Sequence, residues 1–224
     1  QLFVLLPDNF KKSFYKLKGT KNIFSNKNRN NEKITENQLK TSNIKVTEFL
    51  KNELNITFEN KIILSKADYK KNKIYDLNIL NEILEVYPNE FIYEFQLLKV
   101  LISKILDNSL TTNPRKEYWV KDGIQTYMLI EYVNKKYPNI TLAGNLSKFP
   151  GLKNLYASKL KYNEKYFLSI NHIDRINNTQ NLETPKDSLL RFNEKIANKH
   201  KSGLLLHNLV PEDRKSDFSE IIKN

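Results

Sequence analysis

The sequence predicts an α+β chain in which a small, strand-bearing N-terminal part, residues 1–88, precedes a mainly helical part, residues 89–224. Three observations lead to this prediction. Two short apolar runs in the N-terminal part have the length of strands, and apolar residues after position 89 recur at the helical period. The chain also contains only 5 Gly and 7 Pro, which disfavours a sandwich of many short strands.

The N-terminal part alternates predicted strands with polar loops. The apolar runs at 2–6 and 56–64 predict two buried strands. Between them, the stretch near 16–42 is rich in Lys and Asn and predicts a polar loop. A second polar stretch, 65–73, predicts another loop.

Helices are predicted where apolar residues follow the helical period. One begins at Thr41 or Ser42, which are favoured N-cap types, and a short one occupies 77–86. A longer helix begins at Asn89, and its apolar residues lie on one face at spacings of four, three, four and three. The residues of that face are Phe91, Phe95, Leu98, Ile102 and Ile105.

The C-terminal part contains two further helix starts. Asn113 and Pro114 combine an N-cap residue with Pro in the first turn, and the helix they begin ends before Pro138. The tetrapeptide Thr184 to Asp187 resembles a capping box and predicts the next helix start. Gly203 is expected to interrupt the helical pattern that follows.

Composition defines the class of protein. With 39% hydrophobic residues, 12 Phe and 12 Tyr, the chain is globular. The absence of Cys excludes disulfides, thiol nucleophiles and Cys-based zinc sites. No apolar run approaches ~18 residues, so no transmembrane segment is expected. The chain begins with Gln1 instead of Met, which indicates a processed product or a fragment.

The net charge of +12 is compatible with an anionic partner. Lys and Asn are abundant throughout, however, and only Lys16–Lys33 is locally dense. Solvated charge is the expected interpretation, and nucleic acid is not an expected partner. The alternative is a basic adaptor that binds nucleic acid or anionic lipid through Lys16–Lys33.

Three segments carry a resemblance to a known family. The first, Asn113 to Tyr127, contains Trp119-Val-Lys-Asp-Gly123 and is similar to the phrase W-L-N-E-G-F-A-x-Y. The second, His200 to Leu209, is similar to Y-x-K-G-x-x-V-L-x-M-L. The third and weakest, Lys73 to Asn78, lies where G-x-M-E-N is expected. These phrases belong to the aminopeptidase N family of thermolysin-like zinc peptidases.

The wording is closest to a bacterial branch of that family, because Thr184 to Ile196 also resembles its phrase T-P-x-D-S-L-x-x-F-N-x-K-I. The match covers about residues 57–210. The resemblance implies a thermolysin-like peptidase domain and, in the family, a zinc ion held by His-Glu-x-x-His and a third ligand Glu. Asp122 stands at the ligand Glu position, and His200 stands at the position of the family's transition-state Tyr.

The zinc-binding pair that the resemblance implies is missing. Catalytic zinc requires three protein ligands, and His-Glu-x-x-His supplies two imidazoles on one helix face. At the family's spacing from Asp122, the pair falls on Lys99 and Ser103, with Val100 at the general-base position. Residues 89–112 contain no His. Asp122 and His200 are therefore predicted to be vestigial, with no catalytic residue, metal or cofactor expected.

Other residues could form a site of a different kind. The only histidines are His172, His200 and His207, and the last two lie two helical turns apart. Together with Glu194 they could hold a metal, although ordinary half-buried histidines are the expected interpretation. Glu94 follows Glu90 by one turn; such a pair could act as acid and base, but a solvated face is expected.

Aromatic residues of the first phrase could stack on a ligand. They are Tyr118, Trp119 and Tyr127, and their helical spacing favours a role in the core.

The sequence predicts a catalytically inactive, peptidase-like domain that acts as a binding or structural module. A protein or peptide in the lapsed cleft is the expected partner, and family analogy suggests the bacterial cell envelope as its location. The first alternative is an active zinc metallopeptidase with unusual ligands among Asp122, His200, His207, Glu90 and Glu94. The second is the basic adaptor.

Overall fold

The computed structural model describes residues 36–55, 62–72, 74, 86–148, 151, 154 and 156–210. The chain divides into two compact units, Gln1–Leu101 and Ile102–Asn224. This division falls inside a long helix, whereas the sequence predicted a boundary after residue 88.

The α+β prediction is wrong, because the described part of the chain is mainly helical. Pairing of extended backbone there is limited to isolated bridges, such as the one between Thr141 and Lys161. The predicted strand 56–64 is described only at 62–64, where no named strand forms although Leu64 is buried. A short apolar run suits any buried segment, so it does not by itself specify a strand. The predicted strand 2–6 lies outside the described residues.

Helix α1 (Glu36–Leu54) and helix α2 (Lys66–Lys71) belong to the first unit. Helix α1 begins before Thr41, so the loop predicted near 16–42 is wrong from residue 36 onward. The loop predicted at 65–73 is also wrong. The Ser65 hydroxyl accepts a bond from the Asp68 amide, and the Asp68 carboxylate accepts one from the Ser65 amide, which together form a capping box that starts α2.

Helix α3 (Asn89–Ser109) confirms the helix predicted from Asn89. All five apolar residues of its predicted face are buried. Helix α1 buries Val46, Phe49, Leu50 and Leu54 in the same way. The predicted helix 77–86 lies outside the described residues except for Val86, which is buried and not helical.

Lys45 of α1 bonds to two carboxylates of α3. Its Nζ lies 2.6 Å from Glu90 Oε1 and 3.5 Å from Glu94 Oε1. The pKa of Lys45 is raised above its ordinary value, chiefly by the hydrogen bond with Glu90. The predicted solvated face is wrong for Glu94, whose side chain is fully buried. Because a buried carboxylate requires a compensating partner, Lys45 allows Glu94 to lie within the unit.

The described residues of the second unit include the end of α3 and three further helices. These are α4 (Tyr118–Lys136), α5 (Glu164–Arg175) and α6 (Asn198–Leu209). The connections between these helices contain the short 3₁₀ turns Gly144–Lys148, Tyr156–Ser158 and Lys186–Ser188. A π turn, Asn193–Ala197, directly precedes α6. No helix in the described ranges is both long and apolar enough to cross a bilayer.

Helix α4 starts later than predicted and ends where predicted. The Asn113 side chain accepts bonds from the amides of Arg115 at 3.0 Å and Lys116 at 3.3 Å, so it caps a turn instead of the helix. The helix proper begins at Tyr118. It ends at Lys136, before Pro138, as the sequence predicted.

The predicted helix start at Thr184 to Asp187 produces only a 3₁₀ turn, Lys186–Ser188. Leu189 is extended, and helical structure resumes at Arg191. The prediction is wrong in extent because Asp187 is bonded to Arg115 and not to the backbone of its own first turn.

Two glycines allow α4 and α6 to lie in close contact. A Cβ at Gly123 would lie 3.0 Å from Ser202 Cβ, and a Cβ at Gly203 would lie 2.4 Å from Thr126 Cγ2. The residues in contact ascend together along both helices, so the two helices run parallel. The predicted interruption at Gly203 is wrong, because α6 continues through it. Gly203 serves packing instead.

Replacement of Gly203 by Ala is expected to destabilise the second unit. The change gains about 1 kcal/mol of helix propensity, but the new methyl overlaps Thr126 and requires the helices to separate. We expect a net loss of about 1–3 kcal/mol, measured as a lower urea midpoint. Gly151→Ala is the matched control, since nothing lies within 4 Å of its added Cβ. Equal midpoints for the two variants would contradict the close packing.

Candidate functional site

Asp122, the carboxylate at the predicted zinc-ligand position, forms an ion pair with a lysine of the protein itself. Asp122 lies on α4, and its Oδ1 is 3.1 Å from Lys199 Nζ on α6. The two side chains are only 20% and 30% exposed, respectively. A half-buried ion pair is screened less by solvent than one at the surface. The main charge partner of Asp122 is therefore Lys199.

The contact between α4 and α6, called the seam below, also contains a buried tyrosine, Tyr118, one turn before Asp122. Asn198 Nδ2 donates to Tyr118 OH at 3.0 Å. Burial raises the pKa of Tyr118; the hydrogen bond from Asn198 lowers it, and the nearby carboxylates of Asp122 and Glu194 raise it further. Tyr118 is therefore a neutral hydrogen-bonding group near neutral pH, next to a charged pair.

His200 is bonded to α5 and not to Asp122. Its Nδ1 lies 2.5 Å from Ser169 Oγ, and its ring meets the ring of Tyr166 edge-on at 4.7 Å. The Ser169 hydroxyl is also within hydrogen-bonding distance of the Tyr166 carbonyl, at 2.8 Å. His200, which the resemblance places at the position of the family's transition-state Tyr, thus helps to hold α5 against α6.

The other two histidines have separate partners. His207 Nδ1 lies 3.1 Å from Glu131 Oε1 of α4, and the ring of His172 packs against Phe192. His200 and His207 therefore bond to different helices, although both lie on the uninterrupted α6. Glu194 forms an ion pair with its neighbour Lys195. Among the residues that the structure describes, no three His, Asp or Glu side chains could hold a metal ion together.

The positions counted back from Asp122 carry no ligand chemistry. Val100 is completely buried, whereas Lys99 and Ser103 are half-buried on the same helix. A methyl-bearing side chain cannot act as a base, and a lysine is cationic near neutral pH. Zinc, which the resemblance implies, does not fit this donor set.

A shallow depression of about 590 Å³ lies beside the seam. It is lined by residues of the first phrase, the second helix start and the π turn: Pro114, Arg115, Lys186, Asp187, Leu189 and Glu194. Two contacts join its sides. The Arg115 guanidinium bonds Asp187 at 2.7 Å, and the Lys186 amide donates to the Arg115 carbonyl at 3.0 Å. Two phrases about 70 residues apart in sequence are thus brought together.

No family model, no curated protein and no solved structure matches this chain. The resemblance to the aminopeptidase N family therefore stays a prediction that these comparisons do not test.

The aromatic residues of the first phrase are mostly structural. Tyr118 and Tyr127 are buried, as the sequence predicted, while Trp119 is half-buried. Of the weakest phrase, Lys73 to Asn78, only Ile74 is described, and it is buried. The segment Lys16–Lys33 lies outside the described residues.

The sequence analysis missed Lys199, Ser202 and Asn198, which supply the α6 side of the seam. Lys199 and Ser202 lie three apart, on one face of a helix, and this spacing was the available signal. It could not be assigned to Asp122 without knowing that α4 and α6 are neighbours.

A double-mutant cycle on Asp122 and Lys199 is expected to reveal coupling. Asp122→Asn and Lys199→Met each leave a half-buried group without its charge partner. We expect a coupling free energy of unfolding of about 1 kcal/mol from denaturant titrations of the four proteins. Lys195→Met, which removes a more exposed ion pair between adjacent residues, should change stability by less than about 0.5 kcal/mol. Strict additivity at Asp122 and Lys199 would show that the ion pair does not form.

Proposed function

We propose that this chain is a peptidase-like module without catalytic activity, which acts by binding a protein or peptide partner. The observation that carries the proposal is the ion pair between Asp122 and Lys199 at 3.1 Å. At the position where the family supplies its third zinc ligand, a carboxylate here serves to join two helices.

The charge of Lys199 and the short side chain of Asp122 both disfavour zinc binding. The Lys199 ammonium would repel a dication at Asp122, and zinc binding would require the protein to break this ion pair. Asp is also one methylene shorter than Glu, a serious difference for a metal that binds oxygen at ~2.0–2.2 Å. Residues 89–112 supply no imidazole that could compensate.

The depression beside the seam is the proposed place for the partner. Its ion pair between Arg115 and Asp187 is exposed on both sides, at 64% and 57% of the side-chain areas. Such surface pairs contribute little to stability, so their charges are available for exchange with those of a partner. Pro114 and Leu189 add apolar surface between the charges. A peptide segment that carries both an acidic and a basic group fits this pattern.

Purified protein is expected to hold less than about a tenth of an equivalent of zinc after exposure to the metal and removal of the excess. The reason is that the described residues offer no set of three ligands around Asp122. Elemental analysis of the full chain measures the content directly. Aminoacyl reporter substrates should not be hydrolysed above the blank, with or without chelator.

Two variants give this test its controls. Lys199→Met removes the competing cation, so zinc that binds only to this variant would show that the ion pair protects Asp122. Asp122→Ala removes the carboxylate. Near one equivalent of zinc in the unmodified chain, or chelator-sensitive turnover that Asp122→Ala abolishes, would overturn the proposal in favour of an active metallopeptidase.

A further inference from the structure

The stretch 132–163, which begins in the last turns of α4, contains lysines and no acidic residue. Residues 132–163 include no Asp or Glu, although the whole chain has 25. Five lysines of this stretch lie in the described part of the chain, and all five are exposed: Lys135, Lys136, Lys148, Lys159 and Lys161. The net charge of +12 is therefore concentrated locally, which the sequence analysis did not recognise.

The fold brings the two ends of this stretch together. The amide of Leu142 donates to the Leu160 carbonyl at 2.8 Å, and the amide of Tyr162 donates to the Ile140 carbonyl at 3.0 Å. These bonds flank the bridge between Thr141 and Lys161. The backbone next to Lys159 and Lys161 is thus paired with a segment that begins only four residues after Lys136.

A second set of bonds fixes this loop to the end of α4. Asn163 Nδ2 donates to Asn134 Oδ1 at 2.9 Å and to the Ile130 carbonyl at 3.0 Å. Because Asn134 directly precedes Lys135 and Lys136, these two lysines lie near Lys161. The C-terminal end of α4 also carries a partial negative charge, which reduces the repulsion among them.

The two 3₁₀ turns of the loop, Gly144–Lys148 and Tyr156–Ser158, pack against each other. The turns carry Lys148 and Tyr156 into the same loop cluster, and Lys159 follows directly. Tyr156 is 79% exposed, a high value for an aromatic side chain. The lysine loop, as we name it, consists of Lys135, Lys136, Lys148, Lys159, Lys161 and Tyr156.

Two acidic residues, Glu131 and Glu164, border the loop, and both already have hydrogen-bond partners. The Glu131 side chain is 5% exposed and bonds to His207, and Glu164 Oε1 accepts a bond from the Lys161 amide. With five exposed lysines and no acidic residue of its own, the loop presents an electropositive surface to a partner.

We propose that the lysine loop binds single-stranded nucleic acid, with its lysines on phosphates and the Tyr156 ring stacked on a base. Exposed lysines and an exposed aromatic ring together are the usual means of binding a single strand without sequence preference. Tyr156 is the one large exposed hydrophobic residue that the structure describes between 132 and 163, so the loop offers a ring for stacking on a base and little apolar surface for insertion into a bilayer. An acidic peptide would require no ring.

The test is fluorescence anisotropy of the full chain with a labelled oligothymidylate of about 15 nucleotides, at several salt concentrations. We expect binding that weakens steeply with salt, by about 0.7 in the logarithmic slope for each phosphate contacted. The Gln variant at Lys135, Lys136, Lys159 and Lys161 should reduce the slope by about 3 and weaken binding more than about tenfold at low salt. Failure of the unmodified chain to bind at low salt would overturn the proposal.

A charge-matched control distinguishes the loop from the overall positive charge. Replacement of four exposed lysines elsewhere by Gln, at Lys40, Lys51, Lys71 and Lys116, gives the same net charge. This variant should retain affinity within about threefold, since its four lysines are not part of the lysine loop. Equal losses in the two quadruple variants would show that the loop has no special role.

Tyr156→Ala separates nucleic acid from other polyanions. It should weaken binding to oligothymidylate at least about fivefold, because stacking contributes about 1–3 kcal/mol per base. Binding to an abasic oligonucleotide of the same length should not change. If Tyr156→Ala leaves both affinities unchanged, or if polyglutamate or phosphatidylserine vesicles bind as tightly as the oligonucleotide, the proposal fails and the loop is a general anion-binding surface.

Discussion

The close approach of α4 and α6 is the constraint on which the second unit depends. It is possible because Gly123 and Gly203 lack side chains where the helices meet, so that Ser202 and Thr126 occupy that space. Glycine inside a helix is unfavourable by about 1 kcal/mol compared with alanine. The close packing of α4 against α6 offsets that cost, and it places polar groups of both helices within hydrogen-bonding distance.

The same approach determines what the predicted ligand position can do. Once α6 lies parallel to α4, Lys199 reaches Asp122 and Asn198 reaches Tyr118. The polar residues that the sequence marks as a site thus stabilise the interface between the helices. What remains accessible is the depression next to that interface, where Arg115 meets Asp187 on the surface. The proposed function therefore assigns binding to this surface and a structural role to the seam.

Sequence reasoning succeeded where periodicity alone determines structure. The apolar face of α3 and the end of α4 before Pro138 were predicted because helical spacing and the missing amide of Pro are local properties. It failed where contacts with residues distant in sequence determine the local structure or burial. The run 56–64 was predicted as a strand, yet its described residues, 62–64, form no named strand, and Ile63 is 58% exposed. Glu94 was predicted to be solvated, yet Lys45 of another helix allows its burial.

In the candidate site, too, residues within a motif were predicted and their partners on other helices were not. Asp122 and His200 were identified from the motif, but their partners Lys199 and Ser169 could not be predicted because they come from other helices. Gly203 was interpreted as a helix interruption, since a single sequence does not show that its missing side chain admits Thr126. The lysine loop was overlooked because its charges are far apart in sequence and are gathered only by the bonds around Thr141 and Lys161.

An introduced disulfide tests the parallel register of α4 and α6 most directly, since the native chain has no cysteine. In Gly123→Cys/Ser202→Cys, the two Cβ positions lie 3.0 Å apart, within a small adjustment of disulfide geometry. Mild oxidation should link this pair completely, as mass spectrometry of tryptic peptides would show. Gly123→Cys/Leu205→Cys, with its second cysteine at an exposed position, should stay reduced. If the first cysteine pair stays reduced, or if the second pair forms a disulfide, the result would contradict the packing of α4 against α6 on which the candidate site depends.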